Sequence, residues 1–239
     1  MKELLVLIPA FNEEGAITRV IEEVRAAVPD ALVMVVDDCS GDATRHLATL
    51  AGARVLAVPH HLGLGGCLQA GYRLGFELGY DFVIRVDGDG QHDPADIPRI
   101  LNALKTSGCE MAIGSRYVGG GGKATSLARG LGITLFRAIL RPILGKPVYD
   151  PTSGFVGVNR AALSVFSRSF PLEYPEIEAL VVLQRKAFRF VEVPCVFRPR
   201  TTGRSTITPL RSMYYILHVL LGVFVNVLKF DGRARRSQS

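Results

Sequence analysis

Along the chain, short apolar runs alternate with stretches in which apolar residues recur every three or four positions. Leu4–Pro9 is a continuous apolar run, the pattern of a parallel strand buried on both faces. Ile17, Val20, Ile21, Val24 and Val28 then share one helix face, with Asn12 as the expected N-cap. The same alternation predicts strands at Ala31–Val36, Arg54–Val58, Phe82–Val86 and Met111–Gly114. It predicts helices at Asp42–Leu50, closed by Gly52, at Gly65–Leu78, closed by Gly79, and at Ala95–Leu104. Strand and helix in turn predict an α/β fold with a mostly parallel sheet covered on both faces.

After Ser115 the rhythm breaks. Gly119–Gly122 open a polar loop ending near Ser126, expected to be a lid or linker. A helix over Leu127–Leu144, a turn at Asp150–Phe155, a strand at Phe155–Val158, two more helices and a strand at Phe190–Phe197 complete the globular part. From Met213 to Leu228 only His218, Gly222 and Asn226 interrupt an apolar run. As a helix it spans about 24 Å, short of the roughly 30 Å of a bilayer core. Arg211, His218, Gly222, Asn226 and Lys229 would form one narrow polar stripe on it. Such a helix fits the membrane interface, or the domain surface or a second copy in a homo-oligomer. The expected division is a globular domain over 1–206, an apolar helix over 207–230 and a basic tail over 231–239.

Charge and cysteines adjust this picture slightly. The 239 residues carry a net charge of +6, part of it in Arg233–Arg236, which suits anionic partners; no nucleic-acid partner is expected. Cys39, Cys67, Cys109 and Cys195 form no CxxC pair, which argues against structural zinc and a disulfide framework and for reduced cytoplasmic thiols. Leu4–Ile8 is too short and too soon polar for a secretory leader.

The chemistry lies in the turns. Ile8-Pro9-Ala10-Phe11-Asn12-Glu13-Glu14 stands where a dinucleotide fold would carry GxGxxG, and no GxxxxGK[ST] occurs. Asp37 and Asp38 end the second strand, where parallel sheets bind ligands; either could accept from a base or ribose, or merely cap the next helix. Asp87-Gly88-Asp89-Gly90-Gln91 ends the fourth strand. Two carboxylates two residues apart can share Mg²⁺ or Mn²⁺ with phosphate oxygens. A calcium loop is excluded, since its twelfth position is Pro98 rather than glutamate.

Taken in order, Ile8–Glu14, Val36-Asp37-Asp38-Cys39-Ser40, Asp87–His92 and Asp150-Pro151-Thr152-Ser153-Gly154-Phe155 resemble the family 2 glycosyltransferases, in particular their polyprenyl-phosphate (dolichol-phosphate mannosyltransferase-like) branch. The resemblance runs from about Leu4 to Thr206. It implies a GT-A fold and a metal-dependent transfer of a hexose from a UDP- or GDP-sugar, with inversion. It implies that Pro9, Asn12, Glu13, Asp37, Asp38, Gly65, Asp87 and Gly88 bind the nucleotide, and that Asp87, Asp89 and Gln91 hold the metal. By the same resemblance Asp89, Arg116 and Arg200 serve catalysis, and Arg129 and Ser153 meet the acceptor. Thr206 departs from the lysine that often follows the R-x-x-G-x-S element, here Arg200-Thr201-Thr202-Gly203-Arg204-Ser205.

A lipid-phosphate acceptor would arrive already anionic and need no base. A sugar hydroxyl would need a carboxylate, with Asp150, Glu176 or Glu178 as candidates. The expected location is the inner face of the membrane, reached from the cytoplasm. The alternatives are transfer to a sugar hydroxyl in polysaccharide or cell-wall synthesis, nucleotidyl transfer, which the first turn disfavours, and a non-catalytic subunit of the same fold.

Overall fold

The computed structural model describes residues 2–120 and 127–199. Its strands are β1 (Lys2–Ala10), β2 (Leu32–Asp37), β3 (Arg54–Ala57), β4 (Tyr80–Arg85), β5 (Met111–Ser115), β6 (Val156–Asn159) and β7 (Phe190–Pro194). The helices are α1 (Ile17–Ala27), α2 (Thr44–Leu50), α3 (Gly63–Glu77), α4 (Ile97–Thr106), α5 (Leu127–Leu144), α6 (Arg160–Phe166) and α7 (Pro175–Arg185). The strands form one seven-stranded sheet in the order β3-β2-β1-β4-β6-β5-β7. All pairings are parallel except those of β6, which runs antiparallel between β4 and β5.

The apolar run of β1 explains the layering. Leu4, Val6 and Ile8 enter one core with Ile17, Val20 and Ile21 of α1 and Ile97 and Ile100 of α4. Leu5 and Leu7 enter the other with Leu68 and Tyr72 of α3, Leu163 and Phe166 of α6 and Leu180 of α7. Side chains alternate across a strand, so a strand covered on both faces reads as unbroken apolar sequence. Helix α3 carries glycines despite their low helix propensity, because it lies close to the sheet. A methyl group at Gly71 would fall 2.3 Å from a methyl of Leu7.

Several boundaries differ from the sequence reading. Asn12 is not the N-cap of α1. That place is taken by Ala16, while Asn12 adopts a left-handed φ of 56° and its side-chain oxygen accepts from the Gly41 N–H at 2.9 Å. Asparagine tolerates this conformation, and the bond ties the β1 turn to the β2 turn. Helix α2 starts at Thr44, with Asp42 accepting from the Thr44 N–H. The predicted helix after β4 divides into a single 3-10 turn at Pro94–Asp96 and α4. Of the glycine-rich loop, residues 121–126 lie outside the described residues, as do the apolar run and the basic tail. Among the described residues, no helix is long and apolar enough to cross a membrane.

Candidate active site

Three turns converge at the carboxyl ends of β1, β2 and β4, the edge where ligands bind in parallel sheets. Ser40 Oγ accepts from Asn12 N–H at 3.0 Å and Thr44 Oγ1 from Glu13 N–H at 2.7 Å, so the first two turns form one unit. Gly88 of the third turn packs beneath it. A methyl there would lie 3.2 Å from the Pro9 carbonyl and 3.6 Å from the Glu13 side chain. Pro9, Asn12, Glu13 and Gly88 are thus brought together as expected.

The two aspartates at the end of β2, Asp37 and Asp38, behave differently. Asp38 is buried and committed: Oδ1 accepts from Leu62 N–H at 2.6 Å and Oδ2 from Gly63 N–H at 3.0 Å. It caps the start of α3 from outside that helix, satisfying amides that would otherwise lack partners. His61 Nδ1 lies 3.0 Å from the same carboxylate, and the His61 ring packs on the exposed Phe11 at 4.5 Å. The sequence reading did not select Phe11 or His61, since an exposed aromatic has no local signature. Asp37 is equally buried, yet its Oδ1 makes no hydrogen bond among the described residues. A buried acceptor so left costs about 1–3 kcal/mol, which a ligand hydroxyl or amide would relieve.

Gly65 lies in the first turn of α3, beneath a neighbouring loop. A methyl there would meet the Leu172 backbone at 2.4 Å, so the loop at 171–172 covers this position. Its small size serves this close packing.

At the end of β4, Asp87 and Asp89 are held by their surroundings. Arg85 Nε donates to Asp87 Oδ1 at 2.8 Å. The Asp87 N–H donates to Nδ1 of buried His92 at 3.0 Å, so Nε2 carries the ring proton, 3.6 Å from Asp87 Oδ2. Burial holds the His92 pKa below its ordinary 6.5 despite the nearby Asp87, and the ring is stacked on Phe155 at 4.9 Å. Asp89 Oδ1 accepts from the Gln91 N–H at 3.0 Å, and its Oδ2 accepts from the Gln91 side-chain amide. Gln91 therefore orients Asp89. Among the described residues no cluster of three or more His, Cys, Asp or Glu could itself hold a metal. The Asp87 and Asp89 carboxylates, with the Gln91 side-chain amide against Asp89, fit a magnesium-type site completed by phosphate oxygens.

Arg116, after β5, is bound by Asp150 through Nε at 2.8 Å and Nη2 at 2.7 Å, and the same carboxylate accepts from its N–H. Burial disfavours the guanidinium, but Asp150 more than offsets this and raises its pKa. The group stacks 4.9 Å over Phe197, which meets the His92 ring edge-on at 5.2 Å. Arg116 thus stands beside the β4 turn. Asp150, being 1% exposed and paired, is a poor candidate base. Glu176 is likewise paired, with Arg85 at 2.8 Å. Ser153, expected at the acceptor, is buried and donates to the Gly114 carbonyl at 2.5 Å, which holds the turn together. Arg129 falls within α5, with its side chain outside the described residues, and Arg200 lies outside them altogether. The chain leading toward Arg200 is nevertheless anchored. Arg198 N–H donates to the Gln91 carbonyl at 2.8 Å and its guanidinium pairs with Glu23 and Asp93.

A mostly parallel sheet with one inserted antiparallel strand, and a paired-aspartate turn at its carboxyl edge, is the arrangement of a GT-A glycosyltransferase. The chain belongs to glycosyl transferase family 2, whose model matches residues 5–166. It is 34% identical over 216 residues to an undecaprenyl-phosphate mannosyltransferase of Micrococcus luteus, covering 84% of this chain and 86% of that protein. It is 33% identical to a polyprenol monophosphomannose synthase of Mycolicibacterium smegmatis, covering 84% and 79%. Among solved structures it resembles glucosyl-3-phosphoglycerate synthase from Mycobacterium tuberculosis. The complex of that enzyme with Mg²⁺ and uridine diphosphate aligns at a TM-score of 0.65 and 28% identity, over 84% of this chain and 73% of that one.

Proposed function

We propose that this enzyme transfers a hexose, with inversion, from a nucleotide-sugar to a polyprenyl phosphate at the membrane surface. The carrying observation is that Asp150 and Glu176, two of the carboxylates able to deprotonate a hydroxyl, are each spent on an arginine. A phosphate acceptor is already anionic near neutral pH and needs no such base. The acceptors in the names of the Micrococcus and Mycolicibacterium relatives support the same reading.

The residues divide the work. Asp37 Oδ1, without a hydrogen bond among the described residues, suits a base or ribose contact, with Phe11 and His61 offering ring surface nearby. Asp87 and Asp89 would hold Mg²⁺ or Mn²⁺, whose chemistry is to neutralise the charge that develops on the departing diphosphate. Arg116, oriented by Asp150, adds positive charge beside that turn. Arg200 and Arg129 retain their expected roles at the diphosphate and the acceptor. The apolar segment at 207–230 is assigned to the membrane interface or a second copy.

The test is incubation of the purified protein with Mn²⁺, radiolabelled GDP-mannose, UDP-glucose or UDP-N-acetylglucosamine, and undecaprenyl phosphate in detergent. The expected product is an organic-extractable sugar phosphate. Label passing instead to an oligosaccharide, with none to the lipid, would favour the hydroxyl-acceptor reading. Release from no donor, together with no nucleotide binding, would favour the non-catalytic subunit.

A further inference from the structure

We propose that Glu176, acting through Arg85, is a positioning residue that sets the strength and orientation of Asp87 as a metal ligand; this rests on the reading of Asp87 and Asp89 as the cation site. Arg85 is 4% exposed, and a buried charge persists only when paired. It has two partners. Nε donates to Asp87 Oδ1 and Nη1 to Glu176 Oε1, both at 2.8 Å. Burial disfavours this guanidinium, and the two carboxylates reverse the effect, so its pKa stands above the ordinary arginine value.

The elements involved are remote in sequence. Arg85 is the last residue of β4, registered between Leu7 and Val156. Glu176 sits in the first turn of α7, directly after Pro175. Gly154 closes the space around them. A methyl there would lie 2.7 Å from Arg85 Nη2 and 2.8 Å from Asp87 Oδ2, so this position leaves no room for a side chain.

The charge arithmetic gives the arrangement its consequence. Two carboxylates and one guanidinium sum to −1. Without the Glu176 charge, Arg85 and Asp87 cancel, and Asp87 becomes a poorer ligand for a divalent cation. With it, the arginine is shared. Asp87 keeps its negative character while Oδ1 is held in place, which fixes where Oδ2 points. Outer partners of metal-binding carboxylates commonly act this way.

The test measures Mn²⁺ binding to the full chain by the EPR signal of free Mn²⁺, in the presence of UDP and separately of GDP. Glu176→Gln preserves shape and an acceptor for Arg85 but removes the charge. It is expected to weaken Mn²⁺ binding about 10- to 100-fold and to raise the Mn²⁺ requirement for turnover more than it lowers kcat at saturating metal. The double variant Arg85→Gln/Glu176→Gln restores the charge balance and is expected to return to within about threefold of wild type, well inside that range. Unchanged affinity in Glu176→Gln, or a double variant no better than the single, would overturn the proposal while leaving the cation site intact. If Glu176→Gln lacks a cooperative melt, the double variant decides alone, and a loss of about tenfold or more in it overturns the proposal. Absence of Mn²⁺ binding in wild type with either nucleotide would remove the site reading and the proposal together.

Discussion

Asp150 grips Arg116 with both carboxylate oxygens across 34 residues of sequence, and this pair fixes the turn after β5 beside the turn after β4. The carboxylate is wholly buried and the arginine side chain one-fifth exposed. Removing one partner leaves the other poorly compensated. Asp150→Asn is expected to cost about 2–4 kcal/mol, toward the lower end of losses for buried pairs. At roughly 2–4 °C per kcal/mol for a chain of this size, a thermal melt should move down by several degrees at least. An unchanged melt would mean the pair contributes little.

Asp89→Ala should spare the fold and remove metal-supported transfer. The cation's contribution is several kcal/mol, and each 1.36 kcal/mol is about tenfold in rate, so turnover should fall by at least about 100-fold. Chelation of wild type should match this loss and be reversed by Mn²⁺. Full metal-dependent turnover in the variant would sink the assignment.

The neighbouring aspartates at the end of β2 should respond differently. Asp38→Ala strips acceptors from two amides at the start of α3, at a cost of about 1–3 kcal/mol. Asp37→Ala removes a buried Oδ1 acceptor that has no partner among the described residues, so the free protein should melt no lower than wild type. The same variant should lose the stabilisation that a bound nucleotide gives wild type. Thermal shifts with and without UDP or GDP separate the two cases.

His92 supplies a pH signature. Its folded pKa lies below 6.5 because burial disfavours the imidazolium, and Nδ1 already accepts from Asp87 N–H. Between the two pKa values the unfolded chain binds the extra proton. Stability therefore declines as pH falls below about 6.5 and levels off below the folded pKa. His92→Asn keeps an acceptor for the Asp87 amide and removes the titration. Its stability should change less than that of wild type between about pH 7 and pH 5, as measured by urea melts at each pH; parallel curves would exclude His92 as a contributor.

Much of this protein was legible locally. A strand buried on both faces must be apolar throughout, so Leu4–Pro9 and its successors announced themselves, and the spacing of Ile17, Val20 and Ile21 announced a helix. Asp87 and Asp89 could be read as a pair because a single glycine separates them and a strand end precedes them. What sequence could not supply were the partners, since contacts between distant segments depend on strand register and helix packing. Nothing local says that β6 enters antiparallel between β4 and β5, or that Gly65 lies under the 171–172 backbone. Nor does it say that Asp38 is spent on α3, or that Asp150 and Glu176 are spent on Arg116 and Arg85. Local pattern determined which residues bear charge at the sheet edge; tertiary packing decided which of those charges are left for a ligand, because a buried charge must first satisfy its neighbours.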